Sequence, residues 1–296
     1  MRRAVAPGFA LALPAWIWLA AFFVAPVGVV FWYSFGYKPG LFGTHANDVL
    51  SLDRYAEVLT PTFFDTFANT LWVGVLGTAL CFVVGAPIAY WMALKAPARV
   101  KGLLIALVMV PFWTNFLVRT IGWLILLSPE GWLSSLLQDL GFEPLGVLQT
   151  RSAVLLGVVY NYLPLMILPL FVAFDRVGDV VREASSDLGG TPLRTFARVT
   201  FPLARPGIIV GVLLVYIPLM GDYLTAVVLG GAKGNMVGQM LASQFQTAQN
   251  WALGSAMAIM LVLMIVLSIV ALGALARLIA IPVRARYRVD LMEEVA

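Results

Sequence analysis

Six runs of predominantly apolar residues, each about as long as a bilayer-spanning helix, leave this 296-residue chain few folds to choose from. They cover residues 9–35, 67–94, 103–127, 153–174, 207–229 and 255–281. A helix needs about 20 such residues to cross the hydrocarbon of a bilayer. The runs are continuous and do not alternate, which predicts helices that close their own backbone hydrogen bonds and argues against barrel strands. With 61% hydrophobic and 11% charged residues, lipid is the solvent this sequence is written for. The expected fold class is an all-α membrane protein with six transmembrane helices.

Lysine and arginine placement sets the orientation. Arg2 and Arg3, the Lys95/Arg99/Lys101 loop, the 176–205 loop and the basic stretch from Arg277 onward put 14 of the 19 basic residues on one side, against four on the other. Arg119 lies inside the third run. The bias predicts a multi-pass protein with both termini in the cytoplasm. The pI near 9.3 then reports topology, and no nucleic-acid partner is expected. The first run is too long for the apolar region of a signal peptide, about 7 to 15 residues, and reads as an uncleaved span. Cys81 is the single cysteine and falls within a span, as a small buried residue.

Between the first two runs, residues 36–62 carry Pro39, Gly40, Gly43, Asp48, Asp53, Glu57 and Pro61. They read as an external loop with one short helix over 52–59. A second external segment, 128–150, holds an amphipathic piece from Trp132 to Leu137 that is too short to span and suits a membrane interface. On the basic side, Asp179 is placed to cap a helix over 180–188, and Gly189-Gly190 to end it. Thr191-Pro192 then opens a second short helix before Pro202 and Pro206 re-enter the membrane. Gly207 and Gly211, four apart, would let another helix approach closely.

Several chemistries are missing. Gly230-Gly231-Ala232-Lys233-Gly234 lacks both the spacing and the hydroxyl of a phosphate-binding loop. His45 is the sole histidine, which excludes sites needing two histidines and reads as a solvated loop residue. No catalytic residue, metal ligand or cofactor is expected in this chain.

Charges at membrane depth cost about 2.5–3.5 kcal/mol each and need a reason. Arg119 and Asp222 lie at similar depths in the third and fifth runs, close enough for an ion pair. Two readings stand: a structural pair offsetting two burial costs, or a pathway in which Asp222 attracts cations and Arg119 holds it or tunes its field. Trp113, Asn115, Tyr160, Asn161, Tyr162, Tyr216 and Tyr223 cluster at comparable depths. Aromatic faces beside a carboxylate suit an organic cation, although such residues also populate bilayer interfaces.

The loop on the basic side carries a recognisable pattern. Glu183-Ala184-Ser185, Gly189 six residues after the glutamate, and Val199-Thr200-Phe201-Pro202 resemble the EAA motif, Glu-Ala-Ala-x3-Gly-x9-Ile-x-Leu-Pro, of permease subunits of bacterial ABC importers. Ser185, Val199 and Phe201 depart from the consensus. Over most of its length the chain also resembles the spermidine/putrescine importer permeases. The matching segments are Val110-Pro111-Phe112-Trp113-Thr114-Asn115 with Arg119, Val159-Tyr160 with Leu163-Pro164, and 214–218 through Gly221 to 229–233.

The resemblance implies a type I importer permease of the MetI-like fold, carrying a small solute, above all a polyamine, by alternating access. It further implies a second permease subunit, a dimer of ATP-binding subunits, an extracytoplasmic solute-binding protein and the lipid bilayer as partners, with ATP and magnesium held by the ATPase. Glu183, Ala184, Ser185, Asp187, Gly189, Thr191 and Arg194 would couple to that ATPase. Asp222, Arg119, Trp113, Asn115, Tyr160 and Tyr223 would line the substrate pathway.

The expected division is an N-terminal helix and external loop over 1–62, a transmembrane domain over 63–281 with its coupling loop at 175–206, and a cytoplasmic tail over 282–296. An ion-gradient transporter would need intramembrane ion-coordinating residues or an internal inverted repeat, and the sequence shows no convincing repeat; an intramembrane enzyme would need the histidine and metal chemistry that is missing.

Overall fold

The computed structural model describes residues 8–40 and 42–285. The basic residues at 2 and 3, and the tail from 286 onward, lie outside the described residues. The regular structure of the described residues is helical apart from one isolated antiparallel bridge between Tyr37 and Ala46. It forms two compact units, one of residues up to Leu59 together with those from Gln244 onward, the other of Thr60–Ser243.

In the first unit, α1 (8–33) runs as Gly8–Leu19, a π turn Ala20–Val24 and Ala25–Tyr33. The short α2 (Asp53–Val58) and the second part of α1 pack on the long terminal helix, residues Trp251–Ala285. The loop between α1 and α2 is tied down by polar contacts. The Ser34 hydroxyl lies 2.7 Å from the Tyr55 hydroxyl, Lys38 donates to the Ala248 carbonyl, and the Trp251 amide donates to that of Thr44. His45 is not the solvated residue expected from sequence. It stacks on Tyr33 at 3.8 Å between ring centroids, and both ring nitrogens are buried. Loss of hydration holds its imidazole below the ordinary histidine range.

The second unit contains α3 (Pro61–Leu94), α4 (Ala98–Met109, followed by a 3-10 turn Val110–Trp113), α5 (Phe116–Leu127), α6 (Trp132–Asp139), α7 (Arg151–Asp175), α8 (Asp179–Asp187) and α9 (Pro192–Met220). A π turn, Ala226–Gly230, and α10 (Val237–Gln246) follow, leading to the terminal helix, α11. Its core is the bundle of α3, α7 and α9, filled by Met166, Leu170, Phe174, Val158 and Leu219. Since lipid is as apolar as these side chains, close packing holds the bundle together where the hydrophobic effect cannot. Gly207 and Gly211 do permit close approach, and both face α7. A Cβ on Gly207 would overlap that of Ala173 and stand 3.1 Å from the Pro169 carbonyl oxygen.

Five helices are long and apolar enough to span: 12–33, 61–94, 151–175, 192–220 and 251–275. The third apolar run supplies the sixth only as a bent pair, turned by 85° at Thr114-Asn115, not as one straight helix. Asn115 explains the break, because its side chain accepts from the Leu117 amide and caps α5 in the middle of the run. The fifth run is also interrupted. Its helix stops at Met220, and helix resumes at Leu224 after three non-helical residues. Nor is the segment opened by Thr191-Pro192 a separate short helix. It continues through a π turn, Phe196–Thr200, into the span, giving 29 residues without a break.

Candidate functional site

Two polar features stand out in the second unit. The first is the bracket between α7 and α9. Gly178, at φ 71°, takes the cap position expected of Asp179; the Asp179 carboxylate instead pairs with Arg182 at 2.7 Å. At the far end of α8, Leu188 closes the helix and Gly189 adopts φ 79°. The Gly190 amide then donates to the Ser185 carbonyl and the Gly189 amide to that of Ser186, each at 2.9 Å, which is a Schellman closure.

Thr191 caps α9 by accepting from the Arg194 amide. The Ser185 hydroxyl reaches that of Thr195 at 2.9 Å, locking the two helices at the corner. At the base, Lys101 on α4 reaches both the Ala93 carbonyl and the Asp175 carboxylate, at 2.5 and 2.7 Å, fastening α3, α4 and α7 together. The result is a stiff corner. Glu183, Ala184, Asp187, Gly189, Thr191 and Arg194 are exposed on it, while Ser185 faces inward as its fastener. The sequence reading missed the exposed aliphatics among them, Val180, Leu193 and Leu188, the last 90% exposed. Apolar residues lying outside every span-length run were the available signal.

The second feature surrounds the break after Met220. Asp222, only 6% exposed, accepts from the Thr225 amide at 3.1 Å and the Thr225 hydroxyl at 2.6 Å, and the buried Tyr162 hydroxyl also donates to it. The carboxylate therefore caps the restarted turn as well as crossing to α7. The direct pair with Arg119 considered from sequence is not formed: no ion pair joins the two among the described residues. The Arg119 guanidinium lies 5.5 Å from the ring centres of both Phe112 and Phe116, with Nε and Nη1 buried and lacking a hydrogen-bond partner.

Asn161 donates to Thr120, linking α7 to α5 beside this cluster. The remaining candidates do not converge on it as a ring. Trp113 is 79% exposed, Asn115 serves as a cap, Tyr160 stands edge-on to Trp123 at 5.5 Å, and Tyr223 is partly exposed. Thr225 was missed, although Asp-x-x-Thr is a capping spacing that could have revealed it.

Asp222→Ala is expected to strand the Thr225 amide and the Tyr162 hydroxyl, costing about 1–3 kcal/mol. Thermal denaturation of the purified permease checks this. Asp222→Asn separates the roles: uptake unchanged at limiting substrate makes the residue structural.

The comparisons place this interrupted helical bundle with its rigid polar corner among membrane permeases. The chain belongs to the binding-protein-dependent transport system inner membrane component family, which it matches over residues 85–281. It is 40% identical over 215 residues to the spermidine/putrescine transport system permease protein PotB of Escherichia coli (strain K12), covering 72% of this chain and 78% of that protein. The Haemophilus influenzae protein of the same name is 37% identical over 244 residues, 82% of this chain and 84% of the relative.

Among solved structures, a bacterial ABC transporter that imports the acidic polysaccharide alginate aligns with TM-score 0.70 at 14% identity, over 91% of this chain and 94% of that one. The MetNI methionine ABC transporter aligns with TM-score 0.56 at 17% identity, over 72% and 94%. At such identities these two likenesses speak for the fold, the MetI-like importer permease fold.

Proposed function

We propose that this chain imports a polyamine such as spermidine or putrescine, as one of two permease subunits working with an ATP-hydrolysing dimer and an extracytoplasmic binding protein. Both termini and the 175–206 bracket lie on the cytoplasmic side in this reading. ATP and magnesium belong to the partner ATPase. The observation that carries the coupling role is the stiff exposed corner at 183–195: Schellman closure, threonine cap and Ser185–Thr195 contact leave it no soft joint. A motor pushing on such a corner displaces the spans; pushing on a floppy loop would only bend it. Alternating access then follows from rocking of the bundle.

The polyamine assignment draws on the PotB relatives and on the buried carboxylate and aromatic groups near the break. A second reading keeps the machinery and changes the cargo. The molybdenum transport system permease protein ModB of Azotobacter vinelandii is 35% identical over 162 residues, 55% of this chain and 70% of that protein. Reconstitution with the companion subunits in proteoliposomes decides between them. ATP-dependent uptake of labelled spermidine is the expected result; uptake of molybdate but not spermidine overturns the polyamine reading.

A further inference from the structure

At the end of α3 and α7 opposite the bracket lies a recess of about 480 Å³, lined by Asp65, Ala68, Asn69, Trp72 and Arg151. Four of these come from one face of α3, at spacings of three and four residues that place their side chains in a row. Arg151, the first residue of α7, forms the facing wall. The Asp65 carboxylate and the Arg151 guanidinium make no ion pair among the described residues, so neither neutralises the other across the recess.

The wall behind Asp65 carries an excess of acceptors. Asn69 is 6% exposed; its Nδ2 donates to the Asn235 carbonyl at 2.6 Å, but its Oδ1 receives no donor. Asn235, whose carbonyl Asn69 holds, also has its own Oδ1 buried without a donor. This wall is held in place by the Val237 amide donating to the Thr70 hydroxyl at 2.9 Å. Buried oxygens left without donors are uncommon and costly, and call for a donor from outside the chain.

A primary ammonium is three donors and no acceptor, which is the complement of a carboxylate beside donor-free amide oxygens. Trp72, partly exposed in the same recess, offers an indole face for its charge and the adjoining methylenes. We propose that this recess is a binding subsite for one primary-ammonium end of an organic cation. Asp65 supplies the charge, Asn69 the neutral acceptor and Trp72 the face. Arg151 repels a second ammonium from the far wall, so that the rest of the molecule leads away from the recess. This proposal rests on the polyamine reading and its orientation, in which the recess opens on the extracytoplasmic side.

The test uses the assembled transporter in nanodiscs without binding protein, with labelled butane-1,4-diamine as the probe at equilibrium. Asp65→Asn is expected to weaken binding on the order of tenfold. Trp72→Ala weakens it several-fold, and Arg151→Gln does not weaken it. Equal diamine binding by wild type and Asp65→Asn, or no binding by wild type, overturns the subsite. So does a loss in Asp65→Asn that is confined to docking, measured in a parallel assay with the binding protein added, which would make Asp65 a protein contact. Wild-type spermidine uptake in proteoliposomes, measured separately, tests the substrate reading: uptake intact with binding unaffected by Asp65→Asn removes the subsite alone.

Discussion

Gly189→Val is expected to leave the transporter assembled but to abolish the stimulation of ATP hydrolysis by loaded binding protein. Gly189 holds φ 79°, a region that costs an L-residue about 1–2 kcal/mol and is worst for a β-branched one. Nothing lies within 4 Å of where its Cβ would stand, so the fault is one of backbone conformation and not of crowding. Relieving it opens the Schellman closure and frees α8 to swivel about the corner. Gly190→Ala attacks the same joint by a different route. Its Cβ would stand 2.6 Å from the Ser185 carbonyl oxygen and 2.8 Å from the Ser185 hydroxyl, forcing apart the groups that tie α8 to α9. ATPase assays on the purified complex, with and without loaded binding protein, check both. Normal stimulation in Gly189→Val would show that the corner need not be rigid.

Gly207→Val should act on the fold itself, lowering stability by about 1–3 kcal/mol, as overpacking typically does. The added methyl groups would meet Ala173 and the Pro169 carbonyl on α7, where one obstacle is already a minimal side chain and the other is backbone. Neither can rotate away, so α7 and α9 must separate along the seam that Gly211 also lines. A lowered melting temperature for the purified permease is the readout. An unchanged one would mean that the seam opens at no cost.

The spans were legible because their length is a property of the bilayer, and runs such as 153–174 could hardly do anything else. Their interruptions were not, since hydropathy continues unbroken through both. Asn115 and Asp222 were read first as polar groups at membrane depth, whereas the structure uses each as the cap of a restarting helix. The cue was local: an Asn two residues before a new helical amide, and an Asp three residues before a threonine. The bracket was easier, because glycine, threonine and proline punctuate it, yet even there Gly178 displaced Asp179 as the opening residue. His45 misled for a different reason. Composition shows that it has no partner histidine but cannot show that Tyr33 lies under its ring.

The fusion of the loop helix to the fifth span changes how force would travel. A rod of 29 residues reaches roughly 43 Å at 1.5 Å per residue. Displacement applied near Leu193 meets no break in the helix before Met220, and the only points of give are the π turn at 196–200 and the interior prolines Pro206 and Pro218. The first joint it meets is the one clamped by Asp222. Work done at the polar tip would therefore arrive as leverage on the hydrogen-bonded Asp222 carboxylate at the opposite end, making loop and carboxylate two ends of a single crowbar.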